Sequence, residues 1–178
     1  MVHRIESLRQ NMSYQIGDKV IHATHGIAEI VNVESKEVSG IASEYYVVQT
    51  KTLILWIPLI QQIKSSLRPP TSKTGFASLA EILRSRNLPL PENRNDRKSN
   101  IHSRLTDGAI ESICGLIRDL SFCRKNKKLN DTETSIYKSA VNKLIDEWEY
   151  SMSVPQAEAI RELNQLLDES YLLSSQPI

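Results

Sequence analysis

The sequence predicts an α+β protein of two domains, a small antiparallel β-barrel followed by an all-α helical bundle. Three observations carry that prediction. Short runs rich in β-branched and aromatic residues, punctuated by glycine, fill the stretch from Tyr14 to about Leu67. Pro69-Pro70 then imposes a stiff connector. Beyond it, apolar residues recur at three- and four-residue spacing, the period of a helix. A chain of 178 residues is long enough for one compact domain or two small ones.

Taken in order, Met1 to Met12 show no period and read as a mobile extension (1–12) ahead of a β-domain over 13–68. Ile16-Gly17-Asp18 turns into a strand that ends at His22, and His25-Gly26 punctuates the chain again. Ile27 to Glu34 alternates, with Ala28, Ile30 and Asn32 on one side and Ile27, Glu29 and Val31 on the other. Glu44 to Thr50 and Thr52 to Ile57 are further strands, and Pro58 must end its strand or lie on an edge, because it has no N–H to donate. Short strands joined by glycine-marked turns argue for a strongly twisted barrel. A linker over 69–75 leads into the helical domain, 76–178.

Phe76 to Arg86 is amphipathic and is stopped by Leu88-Pro89-Leu90-Pro91. Asp107 can cap a helix whose apolar stripe is Ile110, Ile113, Cys114, Ile117 and Leu120. Asn130-Asp131-Thr132-Glu133 has the form of a capping box, and the helix behind it puts Tyr137, Ala140, Val141, Leu144, Ile145 and Trp148 on one face. A last helix opens at Ser153-Val154-Pro155-Gln156 with Ile160, Leu163, Leu166 and Leu167 as its stripe.

Composition narrows the function. Apolar residues make up 40% and charged residues 24%, with a mean hydropathy of -0.33, an ordinary globular balance. The longest apolar run, Leu53 to Ile60, is too short to span a bilayer, and residues 1–15 hold no secretory core. Cys114 and Cys123 cannot make a disulfide framework, so the expected location is cytoplasmic. The chain has no phosphate loop, HExxH, CxxC or GxSxG. His22 and His25 lack the further ligands that zinc needs, Cys114 falls on an apolar stripe, and Cys123 has basic neighbours but no catalytic base. The expectation is a protein without enzymatic activity, cofactor or metal.

Charge is the more informative feature. Residues 93–128 carry nine Lys/Arg against four Asp/Glu, and residues 129–178 carry three against nine. Two readings fit: a polyanion-facing surface on a helical scaffold, or two solvated faces of opposite sign. Arg94, Arg97, Lys98 and Arg104 precede one helix, while Arg118, Arg124, Lys125, Lys127 and Lys128 lie towards and beyond its end. Basic residues near a helix C-terminus also suit the macrodipole. Flanking clusters of this kind can straddle a phosphate backbone. In the β-domain, Leu53, Leu55 and Ile57 share one side of a strand and Ile54 and Trp56 the other. Trp56 is then either an exposed anchor on a strand edge or a filler between the barrel and the helices.

Tyr14-Gln15-Ile16-Gly17-Asp18-Lys19-Val20-Ile21-His22, His25-Gly26, Gly40, Glu44 to Val48 and Trp56-Ile57-Pro58 together resemble the N-terminal module of the CarD/CdnL family of bacterial transcription regulators, a module related to one in transcription-repair coupling factors. Leu105 to Gly108, Ile117 to Leu120 and Leu129 to Glu133 look like that family's C-terminal helical domain, so the resemblance spans roughly 13–150. It implies a Tudor-like (SH3-like) barrel that docks on the β-subunit lobe of RNA polymerase. It also implies helices that contact promoter DNA at the upstream edge of the melted bubble and stabilise the open complex. The family's basic polymerase-contact positions fall on Lys36, which keeps the charge, and Trp56, which does not. Arg94 stands where the family commonly has a tryptophan that wedges into the minor groove. The implied protein is a monomer with no membrane partner. The alternative is an adapter whose helices bind a second protein through the acidic region and never touch DNA.

Overall fold

The computed structural model describes residues 14–38, 41–59, 66–107, 109–126 and 129–176; the extension expected over 1–12, together with Lys127 and Lys128, lies outside them. The chain divides between Pro70 and Thr71 into a β unit and a helical unit, each with its own core. No helix among the described residues is long and apolar enough to cross a membrane.

The β unit is a five-stranded antiparallel sheet built from β1 (Lys19–His22), β2 (Gly26–Val38), β3 (Ile41–Thr50), β4 (Ile54–Pro58) and β5 (Leu67–Arg68). Their order is β4-β3-β2-β1-β5, which puts Pro58 at the end of an edge strand. Val20, Ala28, Ile30, Tyr46, Val48 and Leu67 form the core, with Leu55 and Ile57 against it. Side chains from both end strands thus meet in one core.

The alternation read along β2 holds only as far as Ile30. Ile30 pairs with Val48 and Asn32 with Val47, so Val31 is an extra residue, a β-bulge. Past the bulge the phase reverses: Val33, not Asn32, packs against the core. The His22–His25 pair has a structural role. His22 is buried, and its Nδ1 accepts the backbone N–H groups of Thr24 (3.0 Å) and His25 (3.2 Å) to close the β1–β2 turn, where Gly26 takes a φ of +74°.

The helical unit contains α1 (Lys73–Arg84), α2 (Arg94–Thr106), α3 (Ile110–Asn126), α4 (Asp131–Met152) and α5 (Gln156–Ser175). α1 begins earlier than its apolar pattern indicates, because the Ser72 hydroxyl caps it by accepting the Gly75 N–H at 3.1 Å. The capping box of α4 is present as expected from Asn130 and Glu133. Trp148 packs in the core with its ring 5.3 Å from that of Phe76. Asp107 ends α2 as its C-cap, while its Oδ1 accepts the Ala109 N–H at 2.9 Å at the entry to α3. One expectation shifts. On α5 the buried line is Ala159, Leu163, Leu167 and Ser170, while Ile160 is exposed. Leu163 and Leu167 are common to both lines and Leu166 still packs against the core, so the buried face is turned from the expected one by only a small fraction of a turn.

Candidate functional site

Two surfaces carry the candidate residues, one on each unit. On the sheet, the bulge at Val31 decides the geometry. Without it, the even-numbered residues of β2 would continue on the core side after Ile30; with it, Asn32, Glu34 and Lys36 turn outward. Trp56 pairs with Val47 on edge strand β4, on that same outer face. The Lys36 Nζ sits 3.6 Å from the centre of the Trp56 ring, and the indole Nε1–H donates to Glu34 Oε2 at 3.0 Å. Trp56 keeps 42% of its surface exposed. A large aromatic is thus held in one pose by a cation above its face and a carboxylate at its edge, which lowers the entropy lost when a partner packs on it. The resemblance points to Lys36 and Trp56 but not to Glu34, which only the bulge brings beside them.

The helical surface sorts the basic residues into two kinds. Arg94, the first residue of α2, and Lys98 one turn on are exposed and form no ion pair with a described residue. Arg97 and Arg104 point the other way. The Arg97 Nε donates to Glu133 Oε1 at 2.5 Å, and the carboxylate, followed by a hydrogen bond to Cys123, holds the guanidinium pKa above its ordinary value despite partial burial. Through Arg97, the N-terminal half of α2 lies alongside the end of α3 and the start of α4. Arg124 lies over the Tyr137 ring at 4.7 Å and remains exposed; Lys125 pairs with Asp168 and lies 4.7 Å from the centre of the Tyr171 ring. Lys127 and Lys128 fall outside the described residues.

Arg118 departs furthest from its expected place among the surface cations. It is 6% exposed, on a stretch of α3 in which every residue from Cys114 to Ser121 is buried. Its Nε donates to Asp119 Oδ1 at 2.8 Å and its Nη1 to the Ser85 hydroxyl at 2.6 Å and the Ile82 carbonyl at 3.3 Å. Arg104 takes the other oxygen of Asp119 at 2.9 Å, and the Leu88 N–H donates to Oδ1, also at 2.9 Å. Asp119 has no exposed surface. Arg118 and Arg104 therefore direct their charge into the bundle, joining α2, α3 and the chain after α1.

Gly115 makes that junction possible. A Cβ there would lie 2.8 Å from Arg104 Nη2. Alanine ordinarily gains about 0.5–1 kcal/mol over glycine inside a helix. Here Arg104 is tied to Asp119 and cannot swing clear without breaking the pair, so Gly115→Ala is expected to destabilise the helical unit by about 1–3 kcal/mol. A urea melt followed by far-UV circular dichroism checks the sign.

Two family models match the chain in order, the CarD-like/TRCF RID domain over residues 14–69 and the CarD C-terminal domain over residues 78–164. Among curated proteins the chain is similar to the "Putative transcription factor YdeB" of Bacillus subtilis (strain 168), with 28% identity over 142 residues that cover 76% of this chain and 90% of the relative. The first match takes in the bulged sheet with Lys36 and Trp56, and the second takes in α2 to α4 with both kinds of arginine. With the two modules present in the family's own order, the chain belongs to the CarD family.

Proposed function

We propose that the chain is a transcription regulator that docks on the β-subunit lobe of RNA polymerase through the outer face of its sheet and touches promoter DNA with its helical unit, stabilising the open complex. The observation that carries this reading is the exposed Trp56, pinned between Lys36 and Glu34 on an edge strand. Pre-ordered aromatics of this kind are the residues that dominate protein interfaces. The DNA half of the proposal rests on Arg94, Lys98 and Arg124, the described cations of the basic stretch left exposed without an ion pair, together with Lys125. A handful of phosphate contacts is enough. A protein already tethered to polymerase meets the promoter at an effective concentration in roughly the millimolar range.

The expected result is that Trp56→Ala weakens binding to an isolated β-lobe fragment by about 30-fold, the cost of losing an interface anchor, and that Lys36→Glu weakens it in the same direction. A folded wild-type chain that does not bind the lobe would bring forward the adapter reading, in which the helices engage a second protein. For the helical unit, Arg94→Glu with Lys98→Glu is expected to reduce DNA engagement in a polymerase–promoter complex. The same pair should lower the slope of log K against log salt by about two, near one for each phosphate no longer neutralised. An unchanged slope would remove DNA from the mechanism.

A further inference from the structure

The Arg104–Asp119–Arg118 junction is not sealed. It forms the floor of an open groove of 540 Å³ in the helical unit, walled on one side by Ile82, Leu88 and Pro89. That volume lies in the range of small-molecule sites. Its floor carries an excess positive charge, since two guanidiniums share one buried carboxylate. Arg104 donates from Nη1 and Arg118 from Nε and Nη1, which leaves the Nη2 group of each, both near Gly115, without a hydrogen bond among the described residues. A Cβ at that glycine would lie 2.8 Å from Arg104 Nη2 and 4.0 Å from Arg118 Nη2, so the missing side chain is what keeps both donors accessible.

A second observation points the same way. Asn100 also lines the groove, and its Oδ1 is buried with no hydrogen-bond partner among the described residues. A buried acceptor without a donor costs free energy that a bound N–H or O–H would return. Glu111 stands exposed on the same lining. Its charge opposes a polyphosphate or a second strand of phosphates and tolerates a single negative group.

From this arrangement we infer that the groove binds a small organic acid. The ligand carries one carboxylate or one phosphoryl group, received by the Arg104 and Arg118 Nη2 donors. It also carries an apolar body against Ile82, Leu88 and Pro89. Guanidinium pairs suit such planar or tetrahedral oxyanions. The site is separate from Arg94 and Lys98 and does not depend on the proposed DNA contacts.

The test is a nuclear magnetic resonance titration of the full chain with three probes. Mandelate offers a carboxylate, an adjacent hydroxyl and a phenyl ring; phenyl phosphate offers the phosphoryl group; benzyl alcohol has the ring and no charge. Saturable millimolar shifts of the Gly115 amide and the Asn100 side-chain amide are expected with mandelate or with phenyl phosphate, and the tighter of the two identifies the acid class. Benzyl alcohol is expected to leave both signals in place. Two rim variants keep the junction intact: Glu111→Gln should tighten binding by about two- to fivefold, as one exposed like charge is removed, and Leu88→Asp should weaken it. Absence of saturable shifts with both acids, equal shifts with benzyl alcohol, or affinities unmoved by both rim changes would each overturn the inference.

Discussion

Asp119→Ala is expected to remove about 3–5 kcal/mol from the stability of the helical unit, the cost of breaking a buried ion pair from one side. Three donors are left without their acceptor at once: Arg104 Nη1, Arg118 Nε and the Leu88 N–H. The Arg118 Nε, on a residue 6% exposed, loses its acceptor inside the bundle. Against a typical domain stability of about 5–15 kcal/mol the effect is large. Thermal unfolding reads it directly, since each kcal/mol moves the midpoint by about 4–8 °C in a domain of this size. A shift below about 1 kcal/mol would mean that the carboxylate is solvated and the junction adds nothing to stability. Asp119→Asn should fall between alanine and wild type, because an amide oxygen still accepts one donor while the charge is gone.

Ile30→Ala is the second large effect, expected to cost about 2–5 kcal/mol and confined to the β unit. Ile30 has no exposed surface and sits in a core with six buried members among the described residues. Domains of about 60 residues bury little surface and have small reserves. The expected outcome is that the sheet unfolds while the helical unit, with its separate core, melts where it did before. Amide spectra of the variant would show sheet signals vanish and helix signals persist. Polymerase-lobe binding should disappear with the sheet, without any change to Lys36 or Trp56. Val31→Ala, at the neighbouring exposed bulge residue, is the control and should stay within about 0.5 kcal/mol.

The β unit was legible wherever alternation ran unbroken. Leu55 and Ile57 face the core and Trp56 faces out, as their spacing indicates. The pattern failed at Val31, since a bulge is set by pairing with β3 and leaves no trace in the residues of β2 alone. In the helical unit, stripes of aliphatic residues announced α1, α4 and α5. α2 went unseen because Ile101 is its one buried residue, too few for a period. The stripe of α3 was recognised, but its full burial was not, since Arg118, Asp119 and Ser121 read as surface residues until their partners are known. For the same reason the basic residues could be counted from sequence but not sorted: a guanidinium facing solvent and one facing a buried carboxylate look identical in a string of letters.

The way α2 is attached has a kinetic consequence. Its neighbours are held by whole apolar stripes, whereas α2 rests on Ile101, the partly buried Leu105 and two charged links, Arg97 to Glu133 and Arg104 to Asp119. A segment with so little apolar anchorage opens at a lower free energy than the bundle around it. Its amide protons therefore exchange with solvent ahead of those of α3 and α4. The helix that carries Arg94 and Lys98, the residues of the proposed DNA contact, is thus the one expected to unlatch first while the rest of the bundle stays folded behind it.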